Sequence, residues 1–496
     1  MSSTFDYVLL GTYITVAAGL MIYGMNCYWV LIMFNRRYRQ AAKRNLELIR
    51  RYRRELSDED LPAVTTQIPL YNEYNVAERV IRAVAAIDYP ADKHEIQVLD
   101  DSTDESRDLI DRVAAELKAE GKDIHVIRRA HRTGFKAGAL KYGMGICKGE
   151  FIAIFDSDFV PPADYLRKSV PFLLDDPTIG LVQARWGHLN RNDSLLTLSQ
   201  SIGIDGHFVI EQSARSYNAH FMNFNGTAGL WRKQAIEDGG GWEADTLTED
   251  MDLSYRVQLA GWRLYYVPQI VVPAELPNTF TAFKSQQFRW AKGSIQTALK
   301  IYPRVLASKT RWTSKLQAFF HLTHYCIHPL MALMALLGLP LLLHVQANLS
   351  TIAAFAAGIL IFLATLGPNT LYIFSQYAVY KKDWKQRVLF LPVLMSLGVG
   401  ICLSNTRAVL EGFTGIKSGF IRTPKAGADA AQRKIYRLPK SPLPFAEVVF
   451  GLYCVWTALM YYWADNPLVI PFMLLYAAGF LYVGFNGLRE PLLARS

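Results

Sequence analysis

Cysteine is scarce in this chain and follows no pattern. The five, Cys27, Cys147, Cys326, Cys402 and Cys454, are scattered without CxxC or Cys/His ligand spacing, which argues against a disulfide scaffold or a zinc site. No GxGxxG follows the first β-type run, where IPLYNE stands instead, so a dinucleotide cofactor is disfavoured. Repeats, low-complexity tracts and RNA- or DNA-binding motifs are absent, which leaves no nucleic-acid partner to propose. Charge is almost missing from long stretches near both ends. Much of the formal net charge of +10 lies beside those stretches, a placement that suits anionic membrane lipids better than nucleic acid.

At 496 residues the chain is too long for one ordinary core. Residues 56 to 300 have the charge and Gly/Pro punctuation of a soluble domain. Phe5 to Phe34 contains only Asp6 as a charge and is long enough to cross a hydrocarbon core of about 30 Å. The basic run NRRYRQAAKRNLELIRRYRRE follows it, opposite to the order in a secretory signal. By the positive-inside bias, residues 35 to 55 and the domain after them are cytoplasmic, in a plasma or inner membrane. Further apolar runs span about 316–343, 352–377, 388–404, 445–463 and 467–487. Counting 388–404 as a crossing would put Arg407, Lys417, Arg422, Arg433 and Lys434 outside, against that bias, so 388–410 is read as interfacial or re-entrant. The expectation is five crossings with the C-terminus inside; six is the alternative.

Between the apolar ends, short β-rich runs alternate with helical patterns, the sign of an α/β domain with a largely parallel sheet. Strands are predicted at AVTTQIP, EIQVLD, IHVIRR, FIAIFD and GLVQARW, and helices near 75–88, 104–120, 136–146 and 163–175. Ligands of open α/β sheets sit beyond the carboxyl ends of the strands. Two carboxylate clusters fall there: Asp100, Asp101 and Asp104 of DDSTD, and Asp156 and Asp158 of DSD. A lone Asp after a strand often only caps the next helix. Two clusters, one with DxD spacing, point instead to a hard divalent cation, Mg²⁺ or Mn²⁺, bound with a diphosphate.

Three weaker patterns accompany them. In TGFKAGAL, Gly134 and Gly138 allow close backbone approach and Lys136 supplies a cation at a helix start. TEDMDLSYR sets Glu249, Asp250 and Asp252 at a helix start, where capping is the simpler account. TAFKSQQFRWAKGSIQTALKI is an amphipathic helix bearing Gln286, Arg289 and Trp290, residue types that also serve as plain membrane anchors.

In order along the chain, Asp101, Asp156/Asp158, Thr248-Glu249-Asp250 and Gln286 with Arg289-Trp290, followed by membrane helices, resemble the processive family 2 glycosyltransferases, the group of cellulose, chitin and hyaluronan synthases. QVLDDSTD, FKAGAL, FNGTAGLWR, TEDMDL and QQFRW resemble most the plant-type cellulose-synthase-like mannan and glucan synthases and their bacterial relatives. FIRTPKAG is similar to the FxVTxK gating loop of cellulose synthases, with Arg422 where Val is usual. The resemblance implies a nucleotide-sugar-binding α/β fold of the GT-A type. It divides the chain into a transmembrane helix with a basic linker (1–55), a cytoplasmic catalytic domain (56–280), an interface helix carrying QxxRW (281–312) and a membrane and channel region (313–496) with a gating-like loop near 413–427.

The same resemblance implies residue roles. Asp250 is the expected base, with Glu249 and Thr248 beside it. Tyr71, Glu73, Asp101, Lys136, Asp156 and Arg289 bind the donor, UDP-glucose or GDP-mannose, and Asp158 with Asp156 holds Mg²⁺ or Mn²⁺. Asn225, Gly226, Thr227, Gln286 and Trp290 face the acceptor, a growing β-linked polysaccharide. Phe420, Thr423 and Lys425 belong to the gating loop. Tyr325, His328, Asn369, Tyr372 and Gln376 are candidates for lining a product channel. The rival expectations are an enzyme adding one sugar to a lipid and a non-catalytic transporter or scaffold.

Overall fold

The structure is a computed structural model that describes residues 4–345, 351–416, 425, 427 and 441–493. Seven strands form one sheet: β1 Val64–Leu70, β2 His94–Asp100, β3 Asp123–Ile127, β4 Phe151–Ile154, β5 Ile179–His188, β6 Gly229–Arg232 and β7 Arg263–Ala274. Their spatial order is β3-β2-β1-β4-β6-β5-β7. All neighbours are parallel except β6, which runs antiparallel to β4 and β5. The first five strands lie at the five predicted runs. GLWR and RLYYVPQIVVPA are not among the predicted runs, because a four-residue strand and a run interrupted by two prolines lack a clear period of two.

Successive side chains point to opposite faces of the sheet, and both faces are covered, so β1, β2 and β4 are buried almost throughout and a core lies on each side. Ile96, Val98, Phe151 and Ala153 join Val80, Ile81, Ile110 and Val113 from helices Tyr74–Ala85 and Ser106–Ala119. Leu99, Ile152 and Ile154 join Leu140, Trp231, Trp242 and Tyr266. The strand ends Leu70, Asp100 and Ile154 therefore open on the same edge, as the parallel register of β2, β1 and β4 requires.

The first helix is continuous from Thr4 to Glu55, so the basic stretch read as a linker is helical. Its Arg, Lys, Glu, Leu and Ala residues are good helix formers, and pairs such as Lys43–Glu47 and Arg51–Glu55 lie one turn apart. Among the described residues, five helices are long and apolar enough to cross a membrane: Thr4–Glu55, Trp312–His344, Gly358–Val379, Leu443–Trp463 and Ile470–Glu490. The segment Trp384–Gly400 with Cys402–Thr414 is bent by 45° and makes a sixth if the bent pair is one span.

Helices Thr4–Glu55 and Thr351–Val379 touch backbone to backbone. A Cβ added to Gly367 would lie 2.1 Å from the Gly24 carbonyl oxygen, the close approach that small residues permit between membrane helices. Helix Phe280–Ala307 joins the two halves through buried ion pairs, Lys284 with Glu447 at 2.9 Å and Lys292 with Glu411 at 2.8 Å. The Glu490 carboxylate accepts N–H bonds from Phe280 and Thr281 at its start. A second junction lies at Leu195–Tyr217, where no element was predicted. Two helical pieces there flank a π-helical stretch, Gly206–Gln212, and Val209, Ile210 and Ala214 pack against Val30, Phe34 and Leu371 of membrane helices.

Candidate active site

A cavity of about 190 Å³ opens at the carboxyl edge of the sheet. Tyr71 and Glu73 line it from the turn after β1, Asp101 from the end of β2, and Asp156 and Asp158 from the end of β4. Lys136 comes from helix Phe135–Met144, Asn225 and Gly226 from the loop before β6, and Thr248, Glu249 and Asp250 from the start of helix Glu249–Leu259. Gln286, Arg289 and Trp290 reach it from helix Phe280–Ala307, and Lys425 also lines it. Thr227 stands behind the wall: fully buried, its hydroxyl accepts the Asp156 N–H at 2.9 Å. Phe420 and Thr423 lie outside the described residues.

The DDSTD cluster divides its labour. Asp100 bonds Arg128 and the Ser102 N–H, and Asp104 accepts the Ser106 N–H at the start of helix Ser106–Ala119. Only Asp101 of the three faces the cavity. Its carboxylate is gripped by Arg129 through Nε at 3.0 Å and through Nη2. The Arg132 guanidinium stacks 3.4 Å from the centre of the Tyr71 ring. Neither arginine had been singled out. The run IRRAHR following a predicted strand was the available signal, but a charge run at a strand end is usually a solvated edge.

Opposite Asp101, the Lys136 ammonium donates to Asp156 Oδ1 at 2.5 Å and to the Gly226 carbonyl at 2.8 Å. Burial pulls the Lys136 pKa down, but Asp156 and Glu249 outweigh it and leave it raised. Burial also raises Asp156 above the usual carboxylate range in spite of Lys136. Gly226 has φ +79°, and an added Cβ would lie 3.0 Å from Asp250 Oδ2. Glycine there answers both to the left-handed backbone and to the approach of that carboxylate. Gly138 has a comparable duty, since its Cβ would meet the Thr133 carbonyl at 2.1 Å.

The TED segment is more than a helix cap. Asp250 is pushed up to about 7, by burial first and then by the adjacent Glu249 charge, with Lys136 opposing. Glu249 is itself raised by burial. Arg289 is pulled down by burial while Glu249, Asp156, Asp158 and Asp250 all act to raise it, which sets one guanidinium in the field of four carboxylates. Helix Phe280–Ala307 lies close enough to the TED segment that a Cβ on Gly293 would meet Thr248 at 2.6 Å. Asp252, by contrast, serves the fold by pairing with Arg256 and Lys300.

The donor set at DxD suits a hard divalent ion, two carboxylates on a short loop. The Lys425 ammonium stands 2.6 Å from Asp158 Oδ2, so a cation already fits against that carboxylate. Asn75 holds the Lys425 carbonyl at 3.0 Å.

A family model described as glycosyltransferase like family 2 matches residues 62–293. A probable glucomannan 4-beta-mannosyltransferase of rice, Oryza sativa subsp. japonica, is 45% identical over 252 residues, covering 50% of this chain and 44% of its own length. Glucomannan 4-beta-mannosyltransferase 1 of Cyamopsis tetragonoloba is 33% identical over 458 residues, covering 90% of this chain and 84% of its own length. The chain belongs to the family 2 glycosyltransferases. Within that family, the match to the rice protein spans half of this chain, and the match to the Cyamopsis protein spans nearly all of it. The mannosyltransferase PcManGT of Pyrobaculum calidifontis, solved with GDP-Man and Mn²⁺, superposes with a TM-score of 0.53 at 20% identity, over 82% of this chain and all of that one. At that identity the likeness establishes the GT-A fold and leaves the ligands as properties of that protein.

A second, larger cavity of about 430 Å³ lies among the membrane helices. His328 and Tyr372, both expected near a product path, line it, together with Tyr23, Asn26, Glu211 and Arg215. Tyr325 packs instead with Ala291 and Ile295, Asn369 bonds back to the Thr365 carbonyl, and Gln376 is buried against Asp205 at 3.3 Å.

Proposed function

We propose that this chain is a processive inverting hexosyltransferase. It builds a β-linked, 1,4-joined glucan or glucomannan from a nucleotide sugar on the cytosolic side of a plasma or inner membrane and passes the product across. The observation that carries this reading is the convergence, in one cavity, of Asp101, Asp156, Asp158, Asp250, Lys136, Arg289 and Trp290 from five separate segments. The relatives' names favour mannose, hence GDP-mannose over UDP-glucose as donor.

Inversion in a single displacement needs a base for the acceptor hydroxyl and stabilisation of the leaving diphosphate. Asp250 takes the proton as the new bond forms. A carboxylate raised to about 7 is a stronger base than an ordinary one and is still ionised in about half of the molecules at neutral pH. Lys136 and Arg289 face the departing charge, where fixed cations in a water-poor site stabilise the transition state most. Asp158, with Asp156, would hold Mg²⁺ or Mn²⁺, which when bound neutralises diphosphate oxygens. Asp101 and Tyr71 hold the nucleotide, braced by Arg129 and Arg132, and Glu73 closes that end. Trp290 stacks on the acceptor sugar, with Gln286, Asn225 and Gly226 around it.

A polysaccharide cannot cross hydrocarbon unaided, because each unsatisfied polar group costs several kcal/mol. The membrane cavity removes that cost by offering aromatic faces and hydroxyl, amide and charged groups along the way. The deciding experiment offers a panel of UDP- and GDP-sugars, with Mg²⁺ or Mn²⁺, to the purified protein in detergent and analyses product length and linkage. A 1,4-linked polymer is expected. One sugar per lipid, or no transfer from any donor, rejects the reading.

A further inference from the structure

Helix Phe280–Ala307 carries Gln286, Arg289 and Trp290 to the catalytic cavity, yet it is anchored from the membrane half. Carboxylates from three separate helices hold it: Glu490 at the N–H groups of Phe280 and Thr281, Glu447 at Lys284, and Glu411 at Lys292. The last of these lies nearest the chemistry. The Lys292 side chain is wholly buried and donates to Glu411 Oε2 at 2.8 Å, while Arg407 donates to Oε1 of the same carboxylate at 2.8 Å. Glu411 stands on helix Cys402–Thr414. Beside it, Gly412 brings the two helices into close contact: a Cβ there would lie 2.9 Å from Ile295 Cβ and 3.2 Å from the Lys292 carbonyl oxygen.

Adhesion does not account for this pair. Ala291 and Ile295 already pack against Ala408, Val409 and Tyr325, and Trp290 lies against the same cluster. An ammonium removed from water there costs desolvation that its partner at best offsets, and an apolar pair of similar volume would hold the helices as well or better. We propose that Lys292 and Glu411 are positioning residues for sugar transfer. Apolar surfaces slide past one another at little cost, whereas the charge pair fixes one axial register between helices Phe280–Ala307 and Cys402–Thr414. Lys292 follows Arg289 by three residues and Trp290 by two, about 3–4.5 Å along the helix axis, so a slip at the pair displaces both side chains relative to the cavity. Lys292 and Glu411 do not themselves line that cavity; they act through Trp290, under the acceptor, and Arg289, at the leaving diphosphate. The proposal rests on the transferase reading and adds to it the device that holds the QxxRW segment in place.

The test compares two reactions of one site in the full-length protein: transfer to an oligosaccharide acceptor and hydrolysis of the nucleotide sugar by water. Both use the donor site, but only transfer needs the acceptor aligned, and the ratio of the two rates cancels any loss of folded protein. In Lys292→Met and in Glu411→Leu the ratio of transfer to hydrolysis should fall about ten- to a hundredfold, the loss that misplacement by about 1 Å produces, with the donor KM little changed. The double variant separates positioning from stability. Its apolar pair restores packing, so its unfolding temperature should return toward that of the parent while the ratio stays low. A ratio unchanged in both single variants, or one that recovers in the double variant, overturns the proposal. Absence of both transfer and hydrolysis with every donor in the parent rejects the transferase reading, whereas transfer with an unchanged ratio in the variants rejects the positioning role alone.

Discussion

The cavity at the sheet edge and the cavity among the membrane helices lie on either side of one helical stretch, yet are built on opposite principles. The first is small and crowded with charge. Asp156, Asp158, Glu249 and Asp250 face Lys136, Arg289 and Lys425, and burial shifts several of them from their ordinary ionisation. The second is more than twice the volume and walled mainly by Leu, Ile, Met and aromatic side chains. A site that breaks and makes bonds gains from fixed charges in a dry setting; a path that must release what it holds gains from weak contacts spread over a long wall. On the proposed function the contrast separates chemistry from passage, and among the described residues that line the membrane cavity the acidic and basic side chains are Glu211 and Arg215.

That contrast can be broken from the catalytic side first. Asp250→Asn should lower kcat for sugar transfer by about 10³- to 10⁴-fold, the upper range for loss of a general base, with nucleotide affinity changed far less; a kcat within tenfold of the parent would remove Asp250 from the mechanism. Lys136→Ala should cost about 10²- to 10³-fold in kcat, as loss of one transition-state stabiliser does. Assay over a range of donor concentrations separates this from a rise in KM.

The pH dependence sharpens the same point. Because Asp250 is raised to about 7, transfer should fall as pH drops below that value, approaching tenfold per unit; a profile level from about pH 5 to 8 contradicts the role. Stability carries the opposite imprint. Folding favours the protonated form of a carboxyl whose pKa it raises, so the parent loses stability as pH rises from the unfolded value through about 7. Asp250→Asn should therefore be the more stable protein above neutrality, by roughly 4 kcal/mol for a carboxyl raised from its ordinary value to about 7, with the advantage gone below about pH 4. Thermal unfolding across pH reads it.

On the membrane side the smallest effect is one of packing. Gly367→Val should destabilise by about 1–3 kcal/mol, since its side chain meets the Gly24 backbone. An unchanged unfolding temperature would mean that the two helices can part at no cost.

Much of the catalytic half was legible because strands and their terminal carboxylates are local signals. Five runs of β-branched and apolar residues marked β1 to β5, and Asp101, Asp156 and Asp158 follow directly from two of their ends. The antiparallel β6 and the long β7 were not legible, since four residues of GLWR and the prolines of β7 say little alone. The stretch 195–217 was missed because its apolar residues satisfy two surroundings at once, the sheet on one side and membrane helices on the other, which blurs the single-face period. Arg129 and Arg132 were passed over because only the fold brings them back onto Asp101 and Tyr71.

What the sequence determined alone was the inventory and its order: membrane runs at both ends, an α/β domain between them, and four acidic or QxxRW motifs in the family's succession. These depend on short-range patterns, which the chain displays residue by residue. Which of those carboxylates share a cavity, which only cap or brace, and where charge is let into the membrane half were decided by tertiary structure. Those properties arise between residues far apart in sequence, such as Glu211 and Asn26 or Lys284 and Glu447, where burial and proximity change what each side chain can do.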